Sequence, residues 1–117
     1  MEKLFDAELR LMEIIWAREP VSAKEVSVIA YRQFGWNKNT TYTVIKRLIE
    51  KGMLRRDEPG FMCSAVVKRE QVQKAETETL IEKLFGGSKK AFFAAFAGER
   101  LSPDEVEALK SLIEKKE

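Results

Sequence analysis

Residues 36–56 read WNKNTTYTVIKRLIEKGMLRR. Thr41, Val44, Ile45 and Leu48 follow the i, i+3, i+4, i+7 spacing of a single buried helical stripe. Asn37 stands where a side-chain oxygen caps the first free backbone N–H groups of a helix. Gly52 supplies the residue without a Cβ that a left-handed C-terminal cap needs, and Lys51 before it suits the negative end of the helix dipole. The predicted helix thus has a start, a stop and an inner face. Opposite that face, at about 100° per residue, lie Asn39, Thr43, Lys46 and Glu50, with Thr40 and Tyr42 on the flanks. An ordinary solvated helix has a polar outer face too, so the segments around this helix must decide what the face is for.

Upstream, Asp6 is expected to cap a first helix over about residues 7–18, with Leu9, Met12, Ile15 and Trp16 inward and Glu19-Pro20 as its end. Ser22 and Glu25 have the spacing of a capping box, opening a second helix to about residue 34 in which Val26, Ile29 and Ala30 face inward. Gly35 stops it and Trp36 leads into the third helix. Downstream of Gly52 the apolar period changes from about 3.6 to about 2. Met53 to Arg56 and Phe61 to Val66 are β-prone runs around the turn residues Asp57-Glu58-Pro59-Gly60, which predicts a hairpin. Three short helices followed by a hairpin make a winged helix-turn-helix unit, with the third helix in the position that enters a major groove.

The outer face of that helix fits the role. Asn can pair with adenine, Thr can offer a hydroxyl to a base edge or a methyl to thymine, and Lys can reach guanine or phosphate. Net charge is only +2, but its distribution matters more: Lys38, Lys46, Arg47, Lys51, Arg55 and Arg56 face a single acid, Glu50, between residues 38 and 56. A cationic surplus on the reading segment is what phosphate contact requires. Arg55 and Arg56, at the base of the wing, suit backbone contacts that set register. Protection of an edge strand against pairing is the competing explanation for those two residues.

The chain has 117 residues, of which 44% are hydrophobic, including two Trp and seven Phe, so a folded core is expected rather than disorder. One cysteine, Cys63, cannot form an internal disulfide, and without histidine a structural zinc set cannot be assembled within one chain. Cys63 is read as a small packed side chain ahead of a redox sensor. No cofactor or metal is expected. There is no Gly-rich phosphate loop and no base for a nucleophile, so the chain is not read as an enzyme. No signal-peptide core or membrane-length apolar run occurs, and a cytoplasmic location is expected.

The domain boundary is placed between 1–67, the winged-helix DNA-binding domain, and 68–117, a helical domain. From Lys68 to Gly86-Gly87 the residues Val72, Ala75, Thr79, Leu80, Leu84 and Phe85 form one mixed apolar face. SKKAFFAAFAGERL follows, with Phe92, Phe93 and Phe96 in a helix too apolar for water. Ser102-Pro103-Asp104-Glu105 then opens a last helix whose stripe is Val106, Leu109, Leu112 and Ile113. A segment this short needs a partner for its core. Packing on the first domain is one solution; a second copy is favoured, because a symmetric dimer presents two reading heads to a palindromic site. A membrane-surface helix is disfavoured by the alternating Lys and Glu on the polar faces.

LRLMEIIWAREPVSAKEV, at residues 9–26, followed by WNKNTTYTVIKRLIEKGMLRR closely resembles the N-terminal domain of the penicillinase-repressor (BlaI/MecI/CopY) family of winged-helix transcriptional regulators. The aromatic segment and LSPDEVEALKSLIEKK resemble the family's dimerisation helices, so the likeness spans nearly the whole chain. It implies a homodimeric repressor on inverted-repeat operators in double-stranded DNA. The contacts would come from Lys38, Asn39, Thr40, Tyr42, Thr43, Lys46, Arg47, Arg55 and Arg56. The dimerisation face would hold Val72, Leu80, Leu84, Phe85, Phe92, Phe93, Phe96, Val106, Leu109, Leu112 and Ile113. In antibiotic-responsive members a membrane sensor's signal leads to cleavage in a segment resembling Ala95-Phe96, where they carry asparagine and this chain has Ala95. The copper-responsive members use C-terminal cysteines, and none follows Cys63 here. A winged-helix module that docks on protein rather than DNA is the rival reading.

Overall fold

The computed structural model describes residues 3–96 and 101–114, without the side chains of Leu109 and residues 112–114. The elements are α1 (Asp6–Arg18), β1 (Val21–Ser22), α2 (Ala23–Phe34), α3 (Lys38–Glu50), β2 (Leu54–Asp57), β3 (Met62–Ala65), α4 (Arg69–Phe85), α5 (Lys89–Ala95) and α6 (Pro103–Glu114). They fall into two compact units, Met1–Val72 and Gln73–Glu117. The division lies inside α4 rather than before it, because Val72 is buried in the core of the first unit.

Helix α1 differs from its sequence reading at both the cap and the stripe. Its N-cap is Phe5, and the side chain that serves the cap is that of Glu8, which accepts the Phe5 N–H at 2.9 Å. Asp6 is instead the first helical residue, where its charge suits the helix dipole. The inward stripe is Glu8, Leu11, Met12 and Ile15, with Ile14 also buried, while Leu9 is 36% exposed. Counting apolar residues alone misplaced the stripe, since a carboxylate occupies its first position. Trp16 is half-buried and its indole N–H donates to the Val67 carbonyl at 2.9 Å, tying the helix to the segment that leaves the wing.

Helices α2 and α3 start and stop where their caps dictate. Ser22 Oγ accepts the Glu25 N–H at 3.1 Å, and Asn37 Oδ1 accepts the Thr40 N–H at 2.8 Å. At the end of α3 the Gly52 N–H donates to Ile49 and the Met53 N–H to Leu48, at 3.0 and 2.9 Å. With Gly52 at φ 77°, this is the paired Schellman closure. Thr41, Val44, Ile45 and Leu48 are buried as the spacing predicts, and join Leu11, Met12, Ile15, Val26 and Ala30 in one core. Each fully buried large aliphatic there is worth about 1.5–3 kcal/mol relative to exposure.

The wing is a three-stranded antiparallel sheet in the order β1-β3-β2. Strands β2 and β3 are the expected hairpin, paired Leu54 to Ala65 and Asp57 to Met62. Strand β1 was not anticipated; two residues are too few to show a period, yet Val21 pairs with Cys63 and Ser22 with Met62. This pairing joins the N-terminus of α2 to the wing.

In the second unit, Ser88 Oγ caps α5 through the Ala91 N–H at 3.0 Å. Ser102 and Glu105 form the reciprocal capping box of α6, at 2.9 and 3.0 Å. Phe92 is buried, edge-on to Phe85 at 5.6 Å and to Phe96 at 5.2 Å, and Ile81 is buried as well. Leu80 is 42% and Leu84 66% exposed. No described helix is long and apolar enough to cross a membrane.

Candidate nucleic-acid interface

The cap at Asn37 and the buried Thr41-Val44-Ile45-Leu48 stripe fix the rotation of α3, and with it the outward residues. Lys38, Asn39, Thr40, Thr43, Lys46 and Glu50 are all exposed on it. Tyr42 is half-buried on the flank, where its ring meets Phe61 of the wing edge-on at 5.8 Å and the Lys38 ammonium lies 5.9 Å from its centroid. Tyr42 therefore joins the helix to the wing as well as bordering the polar face.

The six cations counted in the sequence do different work. Lys51 sits 2.7 Å from Glu8 Oε1, and Arg47 lies 3.9 Å from Glu8 Oε2 with its side chain 46% exposed. In the wing, Arg55 Nε pairs with Asp57 at 3.1 Å and Arg56 Nε pairs with Glu58. Among the described residues, Lys38 and Lys46 have no carboxylate partner. Those two carry the undivided positive charge of the face, and a sum over the sequence could not separate them from the rest. The guanidinium of Arg56 lies 3.6 Å from the centroid of Phe61, and Glu58 also accepts the Phe61 N–H at 3.2 Å. The hydrogen bond from Arg56, followed by that from Phe61, holds the Glu58 carboxyl below its ordinary range.

Sequence reading missed Glu8, Glu58 and Phe61. Glu8 stands at an apolar position of the α1 stripe, a detectable signal; Phe61 and Glu58 lie in a turn whose contacts have no period. Cys63 is buried in β3, and burial pushes its thiol up to about 11, only slightly countered by the Arg56 charge. A thiol so disposed is a packed side chain and a poor nucleophile. Among the described residues no group of His, Cys, Asp or Glu could hold a metal ion.

Of the residues expected at a self-association face, Leu80, Leu84 and Phe96 are exposed, and Phe85, Phe93 and Val106 are half-buried. Val72 packs in the core of the first unit, a correction with a plain cause: the first turn of α4 closes that core. Phe92 is buried among rings of its own unit. The side chains of Leu109, Leu112 and Ile113 lie outside the described residues.

Three helices with a hairpin wing behind a polar, cationic third helix define a winged helix-turn-helix regulator joined to a helical unit. Residues 4–115 match the penicillinase repressor family, and the chain belongs to it. It is 31% identical over 110 residues to the penicillinase repressor of Staphylococcus aureus, spanning 92% of this chain and 87% of that one. The methicillin resistance regulatory protein MecI of Staphylococcus aureus (strain N315) is 28% identical over 117 residues, covering 97% and 95%. The solution structure of the DNA binding domain of the repressor BlaI aligns with a TM-score of 0.54 and 30% identity, over 59% of this chain and 90% of that one. Membership makes the chain a transcriptional repressor and not an enzyme.

Proposed function

We propose that the chain is a homodimeric repressor that binds an inverted-repeat operator in double-stranded DNA, with α3 in the major groove of each half-site. The observation that carries this is the exposed face of Asn39, Thr40, Thr43 and Lys46, held clear of the core by the buried stripe opposite. Lys38, Tyr42 and Arg47 border the face and reach flanking phosphates, while Arg55 and Arg56 reach the backbone from the wing. The second unit supplies self-association through Leu80, Leu84, Phe85, Phe93, Phe96 and Val106, with Leu109, Leu112 and Ile113 continuing the stripe of α6. Repression is lifted by a signal that the sequence does not identify, and proteolysis by a sensor protease in the segment around Ala95 and Phe96, both exposed at the end of α5, is the candidate route. All of this takes place in the cytoplasm.

The test is selection of duplexes from a random library by the purified chain, followed by a salt titration on the enriched sequence. Enrichment of an inverted repeat is expected. Each phosphate neutralised contributes about −0.9 to the slope of log K against log salt. Binding that ignores salt, or enrichment of no sequence at all, would reject DNA as the ligand and leave a protein-docking module. Incubation with the sensor protease should cut between residues 94 and 98 and abolish dimer and DNA binding together; an intact chain after derepression would remove the cleavage step.

A further inference from the structure

We infer that Phe61 is a positioning residue for DNA recognition: its ring seats the guanidinium of Arg56 at the edge of the wing and locks that edge to Tyr42 of the reading helix. The inference rests on the proposed DNA binding and adds the residue that sets the geometry between its two contact elements.

Phe61 has φ 50°, in the left-handed region that a bulky residue rarely adopts. Such a conformation persists when the surroundings over-determine it, and it is concentrated where function needs a fixed geometry. Four contacts do so here. The Phe61 carbonyl accepts the Ala23 N–H at 2.9 Å, from the first residue of α2. Its own N–H donates to Glu58 at 3.2 Å. One contact of its ring is the edge-on Tyr42 of α3 at 5.8 Å, and the other is the guanidinium of Arg56 of β2 at 3.6 Å. A single residue of the turn therefore touches both helices of the helix-turn-helix pair and the strand bearing the wing arginines.

The stack defines what Arg56 can do. Its Nε is committed to Glu58, and its remaining N–H groups have no acceptor among the described residues. A planar fork held in this way can grip a phosphate bidentately, whereas a lysine at the same site offers one mobile charge. Because the ring also fixes Tyr42, the distance from the gripped phosphate to the base-reading face of α3 is fixed, and that distance is the register of α3 in the groove.

The experiment uses the full chain and its selected operator, with an unrelated duplex as reference. Arg56→Lys keeps the charge and loses the plane; it should weaken operator binding about five- to tenfold while leaving the salt slope nearly unchanged. Phe61→Leu should lose a similar factor, the double variant no more than either single one, and Phe61→Tyr, which keeps the ring, should stay within about twofold. The ratio of operator to unrelated affinity should fall in the first three. Arg56→Lys binding within twofold of the wild type, or a double variant losing the product of the single losses, overturns the inference. Arg56 is exposed, so Arg56→Lys decides the matter even where Phe61→Leu unfolds the unit. A wild-type chain with no salt-dependent duplex binding would overturn the proposed function itself; a wild type that binds beside unaffected variants overturns only the role of Phe61.

Discussion

The ammonium of Lys51 lies 2.7 Å from Oε1 of Glu8, joining the C-terminal cap of α3 to the first turn of α1 through a carboxylate with no solvent exposure. The same oxygen accepts the Phe5 N–H, and Lys51 also donates to the Lys3 carbonyl at 2.9 Å. Glu8 Oε2 has no hydrogen bond, and the Arg47 guanidinium lies 3.9 Å from it. Burial raises the Glu8 pKa, but the Lys51 hydrogen bond, the Phe5 N–H and the charges of Lys51 and Arg47 together outweigh it and hold the carboxyl below its ordinary 4.5. This ion pair thus fastens the C-terminal end of α3 to α1.

Removing Glu8 leaves the partly exposed Lys51 ammonium with only the Lys3 carbonyl and frees the Phe5 N–H, at a cost of about 1–3 kcal/mol. Glu8→Ala is expected to reach that range in urea unfolding at pH 7, and Glu8→Gln, which keeps an acceptor for Phe5, to lose less. The pH dependence has a definite sign. A folded pKa below the unfolded one means that the unfolded chain binds more protons, so the contribution is present above about pH 4.5 and disappears as pH falls through the folded value. The stability difference between wild type and Glu8→Gln should therefore narrow on acidification below 4.5. A constant difference down to pH 2 would show that the charge is irrelevant.

Gly52 closes α3 with φ 77°, and a Cβ built there meets nothing within 4 Å. Gly52→Ala consequently costs only backbone strain, about 1–2 kcal/mol, with no steric part. Thermal unfolding should show this loss with unchanged helix content by circular dichroism. An equal or higher midpoint would mean that the Schellman closure is not what ends the helix.

Thr43 and Lys46 stand together on the exposed side of α3, and neither supports the core. On the proposed reading, Thr43→Ala and Lys46→Ala each weaken operator binding by roughly 1–3 kcal/mol if they meet base edges. Lys46→Ala should lower the salt slope by about one if its partner is a phosphate. Unaltered affinity in both variants, with the fold intact, removes this face as the site of recognition.

Much of this was legible in advance because it repeats. The α3 stripe, the caps at Ser22, Asn37 and Ser102, and the Gly52 stop are local patterns in which side-chain chemistry and backbone geometry coincide, and the structure follows them closely. What escaped was non-local or aperiodic. Strand β1 exists only because β3 is beside it. Glu8 is polar at a core position because Lys51, forty-three residues on, provides the charge that permits its burial. The division of the six cations into two without carboxylate partners and four engaged depends on contacts across loops. For the second unit, an apolar face identified from spacing did not say which of its members would be used within the chain, as Phe92 is.

The Cys63 thiol is buried in β3 and pushed up to about 11 from 9.0. Because burial disfavours the thiolate, the fold loses stability as pH rises from about 9.0, where the unfolded thiol ionises, to about 11. At pH 8 the native protein should react with iodoacetamide only as fast as the sheet opens, and labelling should follow the urea unfolding curve. Rapid labelling without urea would place the thiol at the surface.

Leu80 and Leu84, one turn apart on α4, are the exposed aliphatics from which self-association can be tested without touching either core. On the proposed reading their cover is a second copy of the same face in a symmetric arrangement; with Leu80 42% and Leu84 66% exposed, each gains part of the roughly 1.5–3 kcal/mol that full burial of a leucine is worth. Leu80→Glu with Leu84→Glu puts like charges opposite one another across such a face and removes its apolar contact. Sedimentation equilibrium should show a dimer for the wild type and a monomer for the double variant, with the thermal midpoint of the first unit retained. Operator affinity should fall steeply, since one reading head alone makes half of the contacts, while affinity for an isolated half-site should change little. A double variant that remains dimeric would exclude Leu80 and Leu84 as essential contacts and point to the α6 stripe as the source of symmetry.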